Sequence, residues 1–148
     1  MVFCIFAMLT FSVLMLGAGA YRNIELTSRE GANEQIGLSY IWTRVKNSDD
    51  ADMVYVRDFN GLPALFLGEE YGETLYQTII YYHNGWIYEV FTDAGNSFKP
   101  GDGTRIVETE TLWFEEHEEA QIKVVCGDES VFISLRGNKG VPRPGGGR

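Results

Sequence analysis

The sequence predicts an α+β protein: a long N-terminal membrane-spanning helix packed on a mostly antiparallel β-sheet. Three observations predict it. Residues 1–20 carry no charged side chain. A stripe at Leu38, Ile41, Trp42 and Val45 follows the 3.6-residue helical period. Beyond Asp52 the pattern turns into short β-branched and aromatic runs punctuated by Gly, Asn and Asp.

Residues 1–20 (MVFCIFAMLTFSVLMLGAGA) give a helix of roughly 30 Å at ~1.5 Å per residue, the thickness of a bilayer's hydrocarbon core. A retained anchor fits that length. It implies a single-pass cell membrane protein, with cytoplasmic-membrane lipid as a partner and the rest of the chain extracytoplasmic. A cleaved signal peptide is an alternative, because Ala18-Gly19-Ala20 has the A-x-A form, although no basic residue precedes the apolar run. A buried helix of a soluble protein is a third, but a segment apolar all round is unusual at a terminus. A start inside a longer reading frame is a further possibility for this end.

Residues 21–48 read as an amphipathic helical connector that continues the anchor. Leu38, Ile41, Trp42 and Val45 are its expected packing stripe onto the sheet, with Trp42 as the main anchor. Upstream, Thr27, Ser28, Gly31 and Ala32 are small or short polar positions of the kind that let helices approach closely, and they are the expected assembly contacts. Asn47-Ser48-Asp49-Asp50 ends the helix, since short polar side chains compete for its backbone hydrogen bonds.

Residues 49–136 read as a β-rich head. Strands are expected over 53–57, 62–67, 74–82, 86–91, 105–107, 112–114, 121–126 and 131–135, a seven- or eight-strand meander. Pro63 restricts its strand to an edge or to its own first residues. His83-Asn84-Gly85 between two aromatic runs is a hairpin signal, because Asn and Gly both accept positive φ. A Gly- and Pro-containing loop covers 92–103, and residues 137–148 form a flexible Gly/Pro tail carrying Lys139, Arg143 and Arg148.

Charge excludes some functions. The 148 residues carry 21 acids against 12 bases, for a net charge of -9, and the pI is near 4.6. Between Asn47 and Leu135 there are 18 acids and only 4 bases, so no direct nucleic-acid binding is expected. Cys4 and Cys126 are too few for a disulfide framework or a four-ligand zinc site. Neither His83 nor His117 has an evident Ser or Cys partner, and no nucleophile elbow or phosphate loop is present. The expectation is no catalytic site, no cofactor and no enzyme. Asp93, Asn96 and Asp102 are weak calcium candidates, as are Asp49, Asp50 and Asp52, though neither set matches an EF-hand loop. Glu115-Glu116-His117-Glu118-Glu119 reads as a solvated acidic turn. The series Tyr71, Tyr76, Tyr81, Tyr82, Trp86, Tyr88, Phe91 reads as a half-buried sheet face, with a sugar or peptide platform as the alternative.

Several segments carry a family resemblance: Phe3-Cys4-Ile5-Phe6-Ala7, Gly17-Ala18-Gly19-Ala20-Tyr21, and residues 38–49 (LSYIWTRVKNSD). Ala64-Leu65, residues 76–82, Asp93-Ala94-Gly95 and Leu135-Arg136 add to it. Together they span about residues 3–136 and resemble the type IV pilin-like minor pseudopilins of Gram-positive competence pilus operons and type II secretion systems. The chain is similar above all to an uncharacterised family of small pilin-operon proteins. The resemblance implies a structural pseudopilin-like subunit whose partners are other pilin-like subunits, joined through their N-terminal helices. Two features depart from that class: no basic leader precedes the apolar run, and residues 1–20 contain no Glu. The alternative expectation is a membrane-anchored extracytoplasmic binding module that belongs to no pilus.

Overall fold

The computed structural model describes residues 2–48, 53–117 and 120–136; within the helix it describes side chains at 4–8, 10, 29 and 31–48. One helix, α1, runs Val2–Ser48. The chain divides into two compact units, Met1–Ala32 and Asn33–Arg148. In the first, the Thr10 hydroxyl hydrogen-bonds to the carbonyls of Phe6 and Ala7, each at 3.0 Å. Ile5, Phe6 and Met8 are exposed there.

The second unit holds residues 33–48 of α1 and eight strands. Five form one antiparallel sheet in sequence order: β1 (Val54–Phe59), β2 (Leu62–Tyr71), β3 (Thr74–His83), β4 (Trp86–Asp93) and β5 (Thr104–Glu108). The other three, β6 (Leu112–His117), β7 (Gln121–Cys126) and β8 (Glu129–Ser134), form a separate antiparallel sheet. The expected β3–β4 hairpin turns at Asn84 and Gly85, with φ of 47° and 83°, the left-handed pair that matches the twist of the flanking strands. β2 extends beyond the expected end at Leu67 to Tyr71, so Glu69 and Glu70 lie in a strand. Pro63 sits second in β2, opposite Asp58, within the initial residues that a proline tolerates.

Strand alternation gives the five-stranded sheet two apolar faces. One carries Leu65, Leu67, Ile80 and Ile87 and packs with Ile41 and Val45 of α1 and with Phe114, Ile122, Val124 and Ile133 of the small sheet. The other carries Phe66, Ile79, Tyr81, Tyr88 and Val90, with Phe98 packed against them. The loop bearing Phe98 is tied down by two bonds. Tyr81 Oη donates to the Pro100 carbonyl at 2.7 Å, and Asn60 Nδ2 to the Phe98 carbonyl at 2.9 Å. The sheets are also joined by a side chain: the Val56 N–H of β1 donates to Glu116 Oε1 of β6 at 2.9 Å.

This fold corrects the expectation of a membrane-spanning helix packed on one sheet. Among the described residues no helix is long and apolar enough to cross a membrane. The compact head is mostly antiparallel β in two sheets, and its helical part is the short stretch 33–48. That stretch carries Glu34, Arg44 and Lys46, which makes it an amphipathic cover and not a span. Most side chains of the expected span, and those at 21–28, lie outside the described residues. So do Asp49, Asp50, Asp52, Glu118, Glu119 and the tail 137–148.

Candidate functional site

The best-defined constellation in the head is the seam between residues 33–48 of α1 and the strands beneath it. Its buried positions are Glu34, Gly37, Ile41, Val45 and Ser48, spaced three or four residues apart on one helical face. Ile41 and Val45 are wholly inaccessible. Gly37 sets how closely the helix approaches. A Cβ there would lie 2.8 Å from Ile87 Cδ1, 3.2 Å from Cys126 Sγ and 3.5 Å from Val107 Cγ1. Ile87 and Cys126 are themselves fully buried, so neither can readily give way.

A polar lock flanks this apolar seam. Tyr40 Oη donates to Glu89 Oε2 on β4. Arg44, one turn further along, reaches Glu89 Oε1 at 2.5 Å and donates from Nε to Tyr40 Oη at 3.2 Å. Its guanidinium carbon lies 5.5 Å from the Tyr40 ring centroid. Burial pushes the Tyr40 phenol above its ordinary value, and the bond to Glu89 adds to the rise. The hydrogen bond to Tyr40 raises Arg44, and Glu89 adds to it against the opposing effect of burial. The Glu89 carboxylate thus accepts from two groups on one helical turn. Such charge-assisted bonds are stronger than neutral ones.

On its other flank the helix leaves an open groove of about 540 Å³, lined by Gln35, Leu38, Ser39, Trp42, Thr43 and Val131 of β8. Here the expected packing stripe needs correction. Ile41 and Val45 are core and Leu38 is partly buried against it, but Trp42 is 45% exposed. The true buried row, 34-37-41-45-48, lies one step round from the 38-42 row. Hydropathy does not reveal it, because three of its five members are Glu, Gly and Ser.

A family model described as a domain of unknown function, DUF4860, matches residues 32–129. The chain belongs to the DUF4860 family. Its matched region begins at the residue before the compact head, so the DUF4860 domain includes the docked part of α1 as well as the strands. No curated protein and no solved structure matches the chain.

The other expected site residues fall as follows. At the expected assembly positions, Ala32 is exposed, and a Cβ on Gly31 would meet nothing within 4 Å. The side chains of Thr27 and Ser28 lie outside the described residues. The calcium candidates are engaged in loop bonding. Asp102 Oδ2 accepts the Lys99 N–H at 3.0 Å, and the Asp93 backbone carbonyl accepts from Asn96 N at 3.3 Å. Among the described residues no three His, Cys, Asp or Glu side chains gather as a metal site. The segment expected as an acidic turn is corrected: Glu115, Glu116 and His117 are the last residues of β6, where His117 Nε2 lies 3.5 Å from Glu115 Oε2 and Glu116 is taken up by Val56. Cys4 and Cys126 are both free thiols. Burial pushes the Cys126 thiol up, which disfavours the reactive thiolate.

The DUF4860 domain divides the aromatic series in two. Tyr81 and Tyr88 are core, whereas Tyr71 and Phe91 are about three-fifths exposed, at 63% and 59%. Sequence patterning also leaves Glu34, Gly37, Tyr40 and Glu89 unmarked. The available signals were a lone glycine inside a helical pattern and the i, i+4 spacing of Tyr40 and Arg44.

Proposed function

We propose that the chain is a structural, minor-pseudopilin-like subunit of a type IV pilus, competence or secretion pseudopilus machinery. Other pilin-like chains are its partners, and it works by assembly, with no catalytic step assigned to it. The observation that carries this reading is the groove beside residues 35–43. There Trp42 stands 45% exposed next to Leu38 and Val131, an aromatic placed on a helix flank with room for a neighbouring element. Exposed aromatics of this kind are typical anchors of protein interfaces. Upstream, Gly31 and Ala32 offer little side-chain bulk to an approaching helix. The quoted pilin-like segments support the same reading.

The test is site-specific photocrosslinking at Ala32 and Trp42 in cells expressing the surrounding operon. Crosslinks to other pilin-like chains are expected, as is a pilus ATPase, platform protein and prepilin peptidase among the neighbouring genes. If both positions yield only monomer while probes on the strand surfaces capture partners, the assembly reading fails. A second reading, a binding module unrelated to pili, then takes its place. It is favoured by the exposed rings of Tyr71 and Phe91 on an acidic sheet.

A further inference from the structure

The face of the large sheet that receives Tyr40 and Arg44 continues past Glu89 into an exposed aromatic strip. Pairing across β2, β3 and β4 sets the rows Leu65–Ile80–Glu89, Leu67–Thr78–Phe91 and Glu69–Tyr76–Asp93, with Tyr71 opposite Thr74 beyond them. All these side chains point to one face, because directly opposed residues of antiparallel strands share a side. Tyr76 and Phe91 stack at 5.5 Å with planes 5° apart, and Tyr71 meets Tyr76 edge-on at 5.9 Å. Tyr71 Oη donates to Glu69 Oε2 at 3.2 Å. The strip thus combines exposed rings with the carboxylates of Glu69 and Asp93. From Asp58 to Phe98 the chain has Asp58, Glu69, Glu70, Glu73, Glu89 and Asp93 but no Lys or Arg.

The head already holds arginine twice by this chemistry, once with a ring of α1 and once with rings of β4. On this face Arg44 lies over the Tyr40 ring and pairs with Glu89. At β5, Arg105 lies 5.6 Å from the Trp86 centroid and 5.9 Å from that of Tyr88, and its Nε donates to Tyr88 Oη at 2.9 Å. Each site joins a ring to an oxygen acceptor, and ring plus acceptor is what Phe91, Tyr76, Tyr71 and Glu69 present to solvent. A complementary segment exists in the same sequence. Residues 137–148 (GNKGVPRPGGGR) hold Lys139, Arg143 and Arg148 and no acid.

We propose that the Tyr71–Tyr76–Phe91 strip, with Glu69 and Asp93, is a docking site for the basic C-terminal segment, residues 137–148, of a second copy of this chain. The contact is separate from the groove beside Trp42, and either can stand if the other fails.

The test uses the full chain in mild detergent carrying Lys139→Gln, Arg143→Gln and Arg148→Gln, with a fluorescent peptide of residues 137–148 as probe, read by anisotropy. Saturable binding is expected. Phe91→Ala and Glu69→Gln should each weaken it about two- to fivefold, the range for a lost exposed ring–cation contact or surface ion pair. Glu129→Gln, an exposed acid on the other sheet, should leave it unchanged. Phe91→Tyr should keep most of the affinity, which separates a lost ring from a damaged fold. The unsubstituted chain should bind the peptide when dilute and lose that binding as its own concentration rises. Three results overturn the proposal. One is non-saturable binding, and another is an equal loss with Glu129→Gln and Glu69→Gln. The third is an unsubstituted chain that fails to bind the peptide even when dilute, which would place its own segment there.

Discussion

Glu34 of α1 lies directly over Gly127 at the β7–β8 turn: a Cβ on Gly127 would fall 1.7 Å from Glu34 Oε1. Gly127 also has φ of +58°, a conformation that L side chains rarely adopt. Gly127→Ala is therefore expected to cost about 2 kcal/mol or more, with backbone strain and displacement of Glu34 both contributing. Adding Glu34→Ala should recover part of the loss, through a coupling of roughly 0.5–3 kcal/mol for residues in contact. Urea unfolding of the two single variants and the double variant measures it. Strict additivity would show that the two residues do not share the seam.

Two glycines of the same helix should respond in opposite directions. Gly37→Val drives methyls into the fully buried Ile87 and Cys126, and overpacking of this kind costs about 1–3 kcal/mol. Gly31→Ala meets nothing within 4 Å and should strengthen the helix by up to ~1 kcal/mol. Thermal melts followed by circular dichroism would show Gly37→Val lowering the midpoint. If Gly37→Val melts like the parent chain, the close approach is not maintained in solution.

Ile41 and Trp42 are neighbours in sequence and unequal in packing. Ile41→Ala removes a wholly buried side chain and should cost about 2–5 kcal/mol. Trp42→Ala should cost under about 1 kcal/mol, as for a largely surface change, while lowering crosslinking or co-purification with partners. A large stability loss at Trp42 would show that the groove closes over it.

Alkaline pH should destabilise the head. Burial raises the Cys126 thiol above its ordinary 9.0 and the Tyr55 and Tyr81 phenols above 10.0. Tyr40 rises by burial and by its bond to Glu89. A group whose folded pKa is raised keeps its proton longer in the folded state. Its contribution is fully present below the unfolded pKa and is lost as pH rises through the folded one. Urea midpoints should hold to about pH 9 and fall from there upward through 10 and beyond. Cys126→Ala should remove the earliest part of the fall. Midpoints that stay flat to pH 11 would contradict these burial effects.

Strand order and most turns were legible because they depend on local chemistry. Asn84-Gly85 accepts positive φ, and period-two runs mark strands wherever one face is buried. The division into two sheets was not legible. Glu108 to Leu112 reads as one more turn in a meander, and only long-range packing decides that β6 pairs with β7 and not with β5. The helical seam was half legible. Ile41 and Val45 announce themselves by hydropathy, but Glu34, Gly37 and Ser48 are buried for geometric reasons that residue type hides. Trp42 misled because a large apolar side chain next to a core position looks like core. The aromatic series gave no clue that Tyr81 turns inward while Tyr76 sits beside the exposed Phe91. That depends on strand parity, fixed only once the register is known.

Side-chain bonds already occupy one margin of each sheet. β1 is the outer strand of the large sheet, and Glu116 occupies its Val56 N–H. β8 is the outer strand of the small sheet, and Lys46 Nζ donates to its Ser134 carbonyl at 2.8 Å. A strand arriving at β1 or β8 would have to displace a charged group already seated there, a device that suppresses edge-to-edge growth at those two of the four margins. Assemblies of the proposed kind should therefore not grow through β1 or β8. They should lack the 4.7–4.8 Å cross-β reflection in fibre diffraction and leave amyloid dyes dark.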